Sequence, residues 1–542
     1  MKRKVACDAV ILYSNDIHCA AEGYPKLAAY RCQMEEAGYK VIVVDAGDAI
    51  QGEAIGTMTQ GRAVVRMMNA VGYDAAVPGN HEFDYGMDVF LNIAEQEAEF
   101  PYLSVNFLHR RYGNRVFAPY RIVDTGGKKI ALIGICTPET YTKSTPGYFK
   151  GSDGEFRYTF CEETLYSTVQ QAVGKAKEEG AQTVVVLGHL GIEGITKGWR
   201  SVDVIANTKG IDVFIDGHSH EKIPCLRCQN KEGSSVLLTS AGEKFADFGK
   251  ITILSDGTAR TELISTETVD ITSSEQVQTV YRSVQQIADD FRKETSCLDD
   301  VVGVSEVTLT AYDPCTGDRA VRNCETNLGD FVADAYCACS GADFALVNGG
   351  RIRASLREGI VTRRHMTDVN PWNNEMCVIK ICGQQVLDAL EHGARMYPEE
   401  CGGFLQSSGL TYEIDLKIQE SPVVTDERDL FLFVNSRKPR KVKNVRIKGR
   451  PIDPENMYTV VGSCYMLLDA GDGFSMFEGA EIIQRENLLS DTEMLVSYLR
   501  VDLHGRVPRK KYQSMFGERR IVFSGEEADR GAAAVTGFAV SY

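Results

Sequence analysis

The amino-acid sequence predicts an α/β fold in its first half, followed by a second domain of mixed α+β type. In the first half, short apolar runs alternate with stretches of helical periodicity, a pattern that is typical of α/β domains. We interpret six apolar runs as buried strands: 10–13, 41–45, 75–77, 130–135, 184–187 and 213–215. The stretch 64–71 places valine and methionine side chains on one helical face. Two further strand-like segments, 235–240 and 250–254, close this half.

The chain divides into four predicted parts. A polar, helix-favouring stretch separates the two domains, and its apolar residues, spaced for one helical face, are Val277, Val280, Val284 and Ile287. The predicted parts are an α/β domain over 1–270, a connecting helix over 274–298, a second domain over 299–520 and a small, polar tail over 521–542.

Composition and charge argue against several classes of protein. The chain has 542 residues, of which 43% are hydrophobic and 25% charged, as in soluble globular proteins. Its 59 Lys+Arg against 75 Asp+Glu give a net charge of −16, which opposes general binding to nucleic acid or an anionic membrane. We interpret the densest basic run, 437–450, as a solvated hairpin, because no aromatic residues interleave it. The sequence has no run of about 18 or more apolar residues, the length that a membrane-spanning helix requires.

The start of the chain and its cysteines favour a cytoplasmic protein. Residues 2–4 are basic, but the following run, 5–13, has no small-residue cleavage site and is interpreted as a first strand. The 16 cysteines follow no disulfide framework. Cys225 and Cys228 have the spacing of a zinc knuckle without a second pair, so we interpret them as incidental loop residues. A leader removed before this sequence begins is the open alternative.

Several polar residues stand directly after the predicted strands. Side chains at the carboxyl ends of strands in an α/β sheet converge on one crevice. The residues in such positions are Asp16, His18, Asp48, Asn80, His81, His189, His218 and His220.

Each of these residues has an ordinary alternative. Taken singly, a loop histidine or aspartate is more often a solvated or capping residue than a ligand; Asp16 could cap a helix, and His189 could be a core histidine. However, Asp, Asn or His follows five separate predicted strands, in a chain with only 9 histidines. This favours the interpretation that these side chains meet at one site. A set of carboxylate, amide and imidazole groups without cysteine suits two borderline or hard divalent ions.

The order of these motifs resembles a known family. The blocks Asn15-Asp16-Ile17-His18, Gly47-Asp48, Gly79-Asn80-His81-Glu82-Phe83-Asp84, Gly188-His189 and Gly217-His218-Ser219-His220 resemble a calcineurin-like metallophosphoesterase domain. The blocks Asn348-Gly349-Gly350-Arg351-Ile352-Arg353 and Ala470-Gly471-Asp472-Gly473-Phe474 resemble the C-terminal domain of 5′-nucleotidases. Together they are similar to the family of 5′-nucleotidases, UDP-sugar hydrolases and 2′,3′-cyclic-nucleotide phosphodiesterases. The resemblance implies a β-sandwich flanked by helices for the first domain.

The resemblance also implies roles for individual residues. It assigns Asp16, His18, Asp48 and His220 to one metal ion. It assigns Asp48, Asn80, His189 and His218 to the other, so that Asp48 bridges the two. His81 is the expected acid or transition-state stabiliser, and Asp84, three residues later, would orient its imidazole. The two divalent ions could be Mn, Zn, Mg or Fe.

In the second domain the resemblance implies a nucleotide site. Arg322 and Arg353 would contact phosphate or sugar oxygens, for which forked guanidinium donors are suited. Asn348 would bond the base or ribose, and Asp472 the ribose hydroxyls, although a turn between two glycines is the alternative for Asp472. The family's two base-stacking positions fall on Trp372 and Met466, and Trp372 could equally be a core residue.

These expectations predict a two-metal phosphohydrolase that releases phosphate from nucleoside 5′-monophosphates by in-line attack of activated water. The nearest alternatives use the same metal centre on 2′,3′-cyclic nucleotides, UDP-sugars or a sulfur ester. An alternative that is not an enzyme is a non-catalytic nucleotide sensor. Such a protein would be expected to lack one or more metal ligands, whereas a suitable residue occupies every expected metal position.

Overall fold

The computed structural model describes residues 9–151, 153–192, 196–254 and 257–525. The chain forms two compact units, one ending at Ser296 and the other beginning at Cys297. Helices and strands alternate in both units, so the predicted α/β class is confirmed.

The first unit is a sandwich of two sheets. Its strands are β1 (Ala9–Ser14), β2 (Lys40–Asp45), β3 (Ala75–Ala76), β4 (Leu108–His109), β5 (Tyr120–Asp124), β6 (Lys129–Cys136), β7 (Tyr158–Thr159), β8 (Thr183–His189), β9 (Val213–Ile215), β10 (Lys222–Gln229), β11 (Ser235–Ala241), β12 (Asp247–Ile253) and β13 (Ala259–Ser265). One sheet has the order β13-β12-β1-β2-β3 and the other β10-β11-β9-β8-β6-β5. Apolar side chains of both sheets, among them Ile11, Val44, Leu132 and Val185, share one core.

Helices cover the outer faces of this sandwich. They are α1 (Gly23–Glu36), α2 (Ala54–Thr59), α3 (Arg62–Val71), α4 (Met87–Asn92), α5 (Thr140–Lys143), α6 (Leu165–Glu178), α7 (Ser201–Asn207) and α8 (Glu275–Glu294). Residues of α1, α3 and α8 share a core with the first sheet, and residues of α6 and α7 share a core with the second. The inner strands β1, β8 and β9 are buried on both faces, which explains their continuous apolar runs.

The helix predicted as a connection belongs to the first unit. Helix α8 begins after Ser274, whose hydroxyl accepts the amide of Val277 at 3.0 Å. Its apolar stripe, including Val284 and Phe291, is buried against α1 and α3. The sequence pattern located the helix, but its apolar face completes the core of the first unit.

Parallel pairing brings the functional strand ends together within each sheet. Strand β1 runs parallel to β2, and β2 to β3. In the second sheet β6 pairs in parallel with β8, β8 with β9 and β9 with β11. Their carboxyl ends therefore lie at one edge of each sheet, where the polar turns follow.

The second unit has two cores built from several sheets. Its strands are β14 (Val301–Ser305), β15 (Phe344–Asn348), β16 (Gly359–Thr362), β17 (Met376–Cys382), β18 (Leu405–Ser408), β19 (Leu410–Asp415), β20 (Val423–Thr425), β21 (Phe431–Val434), β22 (Val442–Ile447), β23 (Arg450–Pro451), β24 (Met457–Ser463), β25 (Glu481–Gln484), β26 (Arg506–Val507) and β27 (Ile521–Ser524). Its helices are α9 (Asn327–Ser340), α10 (Arg363–Val369), α11 (Gly383–Gly393), α12 (Cys464–Leu467), α13 (Asp491–Ser497) and α14 (Arg509–Tyr512). The central sheet, β18-β15-β24-β17-β25, contributes to both cores.

Three local predictions need correction or comment. The predicted tail begins with a strand, since β27 pairs in parallel with β19; residues 526–542 lie outside the described residues. Cys225 and Cys228 lie in strand β10 and not in a loop. The basic run contains the strand β22, and several of its cations are paired, for example Lys443 with Asp415 at 2.9 Å.

No helix of the described residues is long and apolar enough to cross a membrane.

Candidate active site

Polar turns follow β1 and β2 at the same edge of the first sheet. Asp16 and His18 follow β1, and Asp48 follows β2. The amide of Asp16 donates to the carbonyl of Gly47 at 2.9 Å, and the amide of His18 donates to the carbonyl of Asp48 at 2.9 Å. These backbone bonds hold the three side chains together.

Backbone strain occurs at five of the predicted ligand positions. Positive φ angles occur at Asp16 (50°), His18 (48°), Asp48 (59°), His218 (82°) and His220 (61°). For residues other than glycine this conformation is costly and persists only where the surroundings impose it, which is common at functional sites.

The structure gathers two groups of potential ligands that share Asp48. The first group is Asp16, His18, Asp48 and His220, and the second is Asp48, His189 and His218; within each group one ligand atom per residue lies within 4.8 Å of the others. Asn80 lies in the turn beside Asp48, because the amide of the next residue, His81, donates to Asp48 Oδ1 at 2.8 Å. The arrangement is therefore that of two adjacent cation sites with one shared carboxylate.

The polar atoms inside these groups fit divalent cations. Asp48 Oδ2 and His189 Nε2 lie 3.1 Å apart. These two atoms and Asn80 Oδ1 are buried without a hydrogen-bond partner among the described residues. Nε2 of His18 faces Nε2 of His220 at 3.0 Å. Buried acceptors that face one another cost free energy unless a cation or proton lies between them, and carboxylate, amide and imidazole are suitable ligands for such a cation.

Burial and mutual attraction shift the pKa values of this cluster. Burial raises the pKa of Asp16 to about 7. Burial also acts on Asp48, but the charges of His189 and His81 outweigh it and hold the pKa of Asp48 well below its usual value. In His189, burial lowers the pKa, but the Asp48 carboxylate prevails and raises it to about 10. Asp48 is thus maintained as an anion at the centre of the site.

Three glutamates support the cluster, and the sequence motifs did not assign a role to any of them. The buried carboxylate of Glu82 accepts the amides of Asp48 at 2.9 Å, Ala49 at 2.8 Å and Gly79 at 2.6 Å, which fixes the two turns against each other. The other two, Glu139 and Glu243, contact histidines of the cluster. Glu82 lies within a recognised block and could have been found there, whereas Glu139 and Glu243 stand far from the ligands in sequence.

His81 and Asp84 form a pair beside the shared carboxylate. Nδ1 of His81 lies 2.6 Å from Asp84 Oδ2, and the side chains are 12% and 6% exposed. The other Asp84 oxygen accepts the hydroxyl of Ser144 at 2.8 Å. Asp84 is therefore held from two sides and lies against the His81 ring, the contact expected from their spacing of three residues.

A second polar cluster lies in the second unit. Asn348 Nδ2 donates to Asp472 Oδ2 at 2.7 Å, and both residues are buried. Gly349 packs against Arg322, since a Cβ on this glycine would lie 3.2 Å from Arg322 Cα. Arg322 is partly exposed, but its Nε is buried and has no partner among the described residues. Burial, together with the charges of Arg319 and Arg353, lowers the pKa of Arg322 to about 9. An anion would relieve this repulsion.

Trp372 lies beside two arginines. The guanidinium carbons of Arg351 and Arg353 lie 5.8 Å and 5.7 Å from the centre of its ring, within the range of cation–π attraction. Arg351 is also fixed by Asp491 at 2.7 Å, and both partners are buried. Trp372 itself is partly exposed, as a stacking residue requires.

Comparison with known proteins identifies both halves of the chain. The family model described as calcineurin-like phosphoesterase matches residues 9–222, and that described as 5′-nucleotidase, C-terminal domain, matches residues 301–479. The chain belongs to the 5′-nucleotidase family of calcineurin-like phosphoesterases. It is accordingly a metal-dependent phosphoester hydrolase, and the family uses a dinuclear metal centre.

Relatives of this 5′-nucleotidase family member occur in distant organisms. It is 28% identical to the trifunctional nucleotide phosphoesterase protein YfkN of Bacillus subtilis over 87% of this chain and 32% of that one, so it spans about a third of the length of that relative. It is 26% identical to the 5′-nucleotidase of Bos taurus over 88% of this chain and 85% of that one. The crystal structure of a 5′-nucleotidase precursor from Thermus thermophilus matches with a TM-score of 0.78 and 25% identity, covering 96% of this chain and 100% of that chain.

The position of one family residue requires correction. Met466 is fully buried in the core of the second unit and presents no surface to a ligand. The preceding residue, Tyr465, lies at the cluster instead, because its hydroxyl accepts the amide of Asp472 at 3.0 Å. Helix α12 turns its neighbouring side chains in different directions, so a shift of one residue separates a core position from a site position. The roles of the other site residues stay predictions.

Proposed function

We propose that the chain hydrolyses nucleoside 5′-monophosphates to nucleoside and phosphate. The observation that carries the proposal is the pair of ligand groups that share Asp48. A carboxylate shared by two cations is suited to in-line displacement at phosphorus. The phosphoryl group would bind at this centre, and the polar cluster of the second unit would bind the nucleoside.

The first unit would provide the reacting groups. Asp16, His18, Asp48 and His220 would hold one cation, and Asp48, Asn80, His189 and His218 the other. When bound, the cations neutralise charge on the phosphoryl oxygens and activate water for attack.

His81 is the proposed catalytic residue of the chain itself. Its Nδ1 is engaged by Asp84, so Nε2 is the ring atom that would act on the substrate. A charged His81 would stabilise the negative charge that develops in the transition state and donate a proton to the leaving oxygen. The Asp84 carboxylate favours this charged form of the ring.

The second unit would select the nucleoside. Arg322 and Arg353 would contact oxygens of the phosphate or sugar, which also offsets the repulsion expected from a chain of net charge −16. Asp472, held by Asn348 at 2.7 Å, would accept hydroxyls of the ribose. Trp372 would stack on the base, a contact worth about 1–3 kcal/mol.

A second candidate activity uses the same centre on cyclic nucleotides or UDP-sugars. It is favoured by the similarity to the Bacillus subtilis protein, whose name is trifunctional nucleotide phosphoesterase. We propose the monophosphates as the preferred substrates, because several of its relatives are named 5′-nucleotidases.

A substrate panel tests the proposal. Full-length protein would be assayed with AMP, 2′,3′-cyclic AMP and UDP-glucose, each in Mn²⁺, Zn²⁺, Mg²⁺ and Fe²⁺, because these four are the candidate ions. We expect the highest kcat/KM for AMP and no hydrolysis after chelation of the metal. A higher kcat/KM for the cyclic nucleotide would favour the second candidate, and hydrolysis of none of them would contradict both.

We also propose that the protein works in a reducing compartment, as in the cytoplasm. The support is that every cysteine among the described residues is a free thiol. Fractionation of the source cells would test this, and recovery of the enzyme outside the cytoplasm would contradict it.

A further inference from the structure

The four histidines of the cluster are each held from outside the cation sites. His18 donates through Nδ1 to the carbonyl of Gln51 at 2.9 Å. His189 donates through Nδ1 to the carbonyl of Ala46 at 2.7 Å. A carbonyl oxygen only accepts hydrogen bonds, so Nδ1 carries a proton in both rings, and Nε2 is the ring atom through which each would bind a cation.

The other two histidines are held by carboxylates. Nε2 of His218 lies 2.9 Å from Glu139 Oε2, and Nδ1 of His220 lies 2.6 Å from Glu243 Oε2. A carboxylate also only accepts, so Nδ1 of His218 and Nε2 of His220, which lies 3.5 Å from Asp16 Oδ1, are the atoms that would bind a cation. His218 would thus bind through the opposite ring nitrogen from the other three histidines.

The carboxylates are divided between the two cation sites. His220 belongs to the group with Asp16 and His18, whereas His218 belongs to the group with His189. Each proposed cation therefore has one histidine backed by a peptide carbonyl and one backed by a carboxylate. A carboxylate partner fixes the ring orientation and makes the imidazole a stronger ligand.

Glu139 is anchored by further contacts of its own, and Glu243 by the backbone next to it. Glu139 is 6% exposed, and its second oxygen accepts the amide of Thr196 at 2.8 Å and the Thr196 hydroxyl at 2.5 Å. Glu243 is followed by Lys244, whose amide donates to the carbonyl of Asp16 at 2.9 Å. The glutamates are thus tied to the elements that surround the site, and neither is in the predicted ligand set.

We propose that Glu139 and Glu243 are positioning residues that separately strengthen the two cation sites, Glu139 through His218 and Glu243 through His220. The inference rests on the proposed function, because it requires that the two ligand groups bind cations. It predicts that the two sites can be weakened one at a time without changing any ligand.

The substitutions Glu139→Gln and Glu243→Gln test this directly. Glutamine keeps the size of the side chain and removes the charge. In Glu139→Gln the amide cannot accept from both His218 and Thr196, because one of its two polar atoms is a donor. Glu221→Gln is the matched control, since Glu221 is next to His220 in sequence but bonds Ser219 at 2.8 Å.

The measurement is calorimetric titration of metal-depleted full-length protein with Mn²⁺. We expect the parent and Glu221→Gln to bind two ions. In each of the other variants, one ion should bind about 10- to 100-fold more weakly and the second within about twofold of the parent. For Glu243→Gln, whose side chain is partly exposed, thermal unfolding in excess EDTA should be unchanged, because a positioning role concerns the metal-bound protein and a merely structural role would lower the midpoint.

The outcomes separate this inference from the proposed function. If the parent binds no pair of Mn²⁺ ions, the proposed function fails and this inference with it. If the parent binds two ions and Glu243→Gln binds both equally well, only this inference is overturned. The Glu243 side chain is 33% exposed, so Glu243→Gln should fold. If Glu139→Gln does not fold, Mn²⁺ binding to Glu243→Gln therefore tests the inference. Thr196→Val then tests the role of Glu139. It should weaken binding of the ion held by His218, by less than is expected for Glu139→Gln.

Discussion

Replacing Asp84 by asparagine should slow turnover by removing one charge next to His81. The pair is close, at 2.6 Å, and both side chains are largely buried, so solvent screens the interaction little. The amide oxygen can still accept from His81, and the Ser144 hydroxyl, which now donates to Asp84 Oδ1 at 2.8 Å, can rotate to accept from the amide nitrogen. Asp84→Asn therefore keeps the hydrogen bonds and changes only their charge.

The expected effect follows from the strength of the two kinds of hydrogen bond. A bond to a charged group contributes about 1.5–3 kcal/mol and a neutral one about 0.5–1.5 kcal/mol. The difference, about 1–1.5 kcal/mol, corresponds to about a 5- to 13-fold decrease in kcat. Asp84→Ala removes both bonds and should decrease kcat by about 10- to 150-fold.

Steady-state release of phosphate from AMP in Mn²⁺ measures these effects. KM should change little, because His81 acts on the transition state, and bound metal should stay at the parent level. Asp88→Asn, at an exposed position four residues away, is the matched control and should keep the parent kcat. If kcat in both Asp84 variants stayed within about twofold of the parent, the assignment of Asp84 as the partner of a catalytic His81 would be refuted.

Other substitutions separate the metal centre from the nucleoside site. Asp48→Asn should lower kcat by at least about 10³-fold, which is more than the loss of a single oxyanion donor causes. Elemental analysis should find less metal bound per chain in this variant than in the parent. Arg353→Ala should raise KM for AMP by about 10- to 150-fold with a much smaller change in kcat; an unchanged KM would exclude it from the site. Met466→Leu should leave KM unchanged and cost less than about 1.5 kcal/mol of stability, whereas Tyr465→Ala should raise KM; the reverse order would restore Met466 to the site.

The ligands could be predicted because they follow strands with strong apolar runs. Strands β1, β2 and β8 are buried throughout or nearly so, which gives a clear signal in sequence, and parallel pairing then requires that their ends converge. Asp16, Asp48 and His189 are found in this way. The fold class follows from the same alternation of strands and helices.

Other features depend on contacts that sequence spacing does not encode. Glu139 meets His218 across 79 residues, and a glutamate in a loop carries no local signal of such a partner. Met466 and Tyr465 differ by one position on a short helix, so their faces depend on how α12 packs. The strand β27 was missed because its pairing partner, β19, is distant in sequence.

The most direct test of the two-cation centre is phosphate release from AMP by metal-depleted protein as Mn²⁺ is added in measured equivalents. The ligand groups share Asp48, so we predict no activity without metal and full activity only when two ions are bound per chain. Full activity in the metal-free protein, or with a single bound ion, would contradict the account.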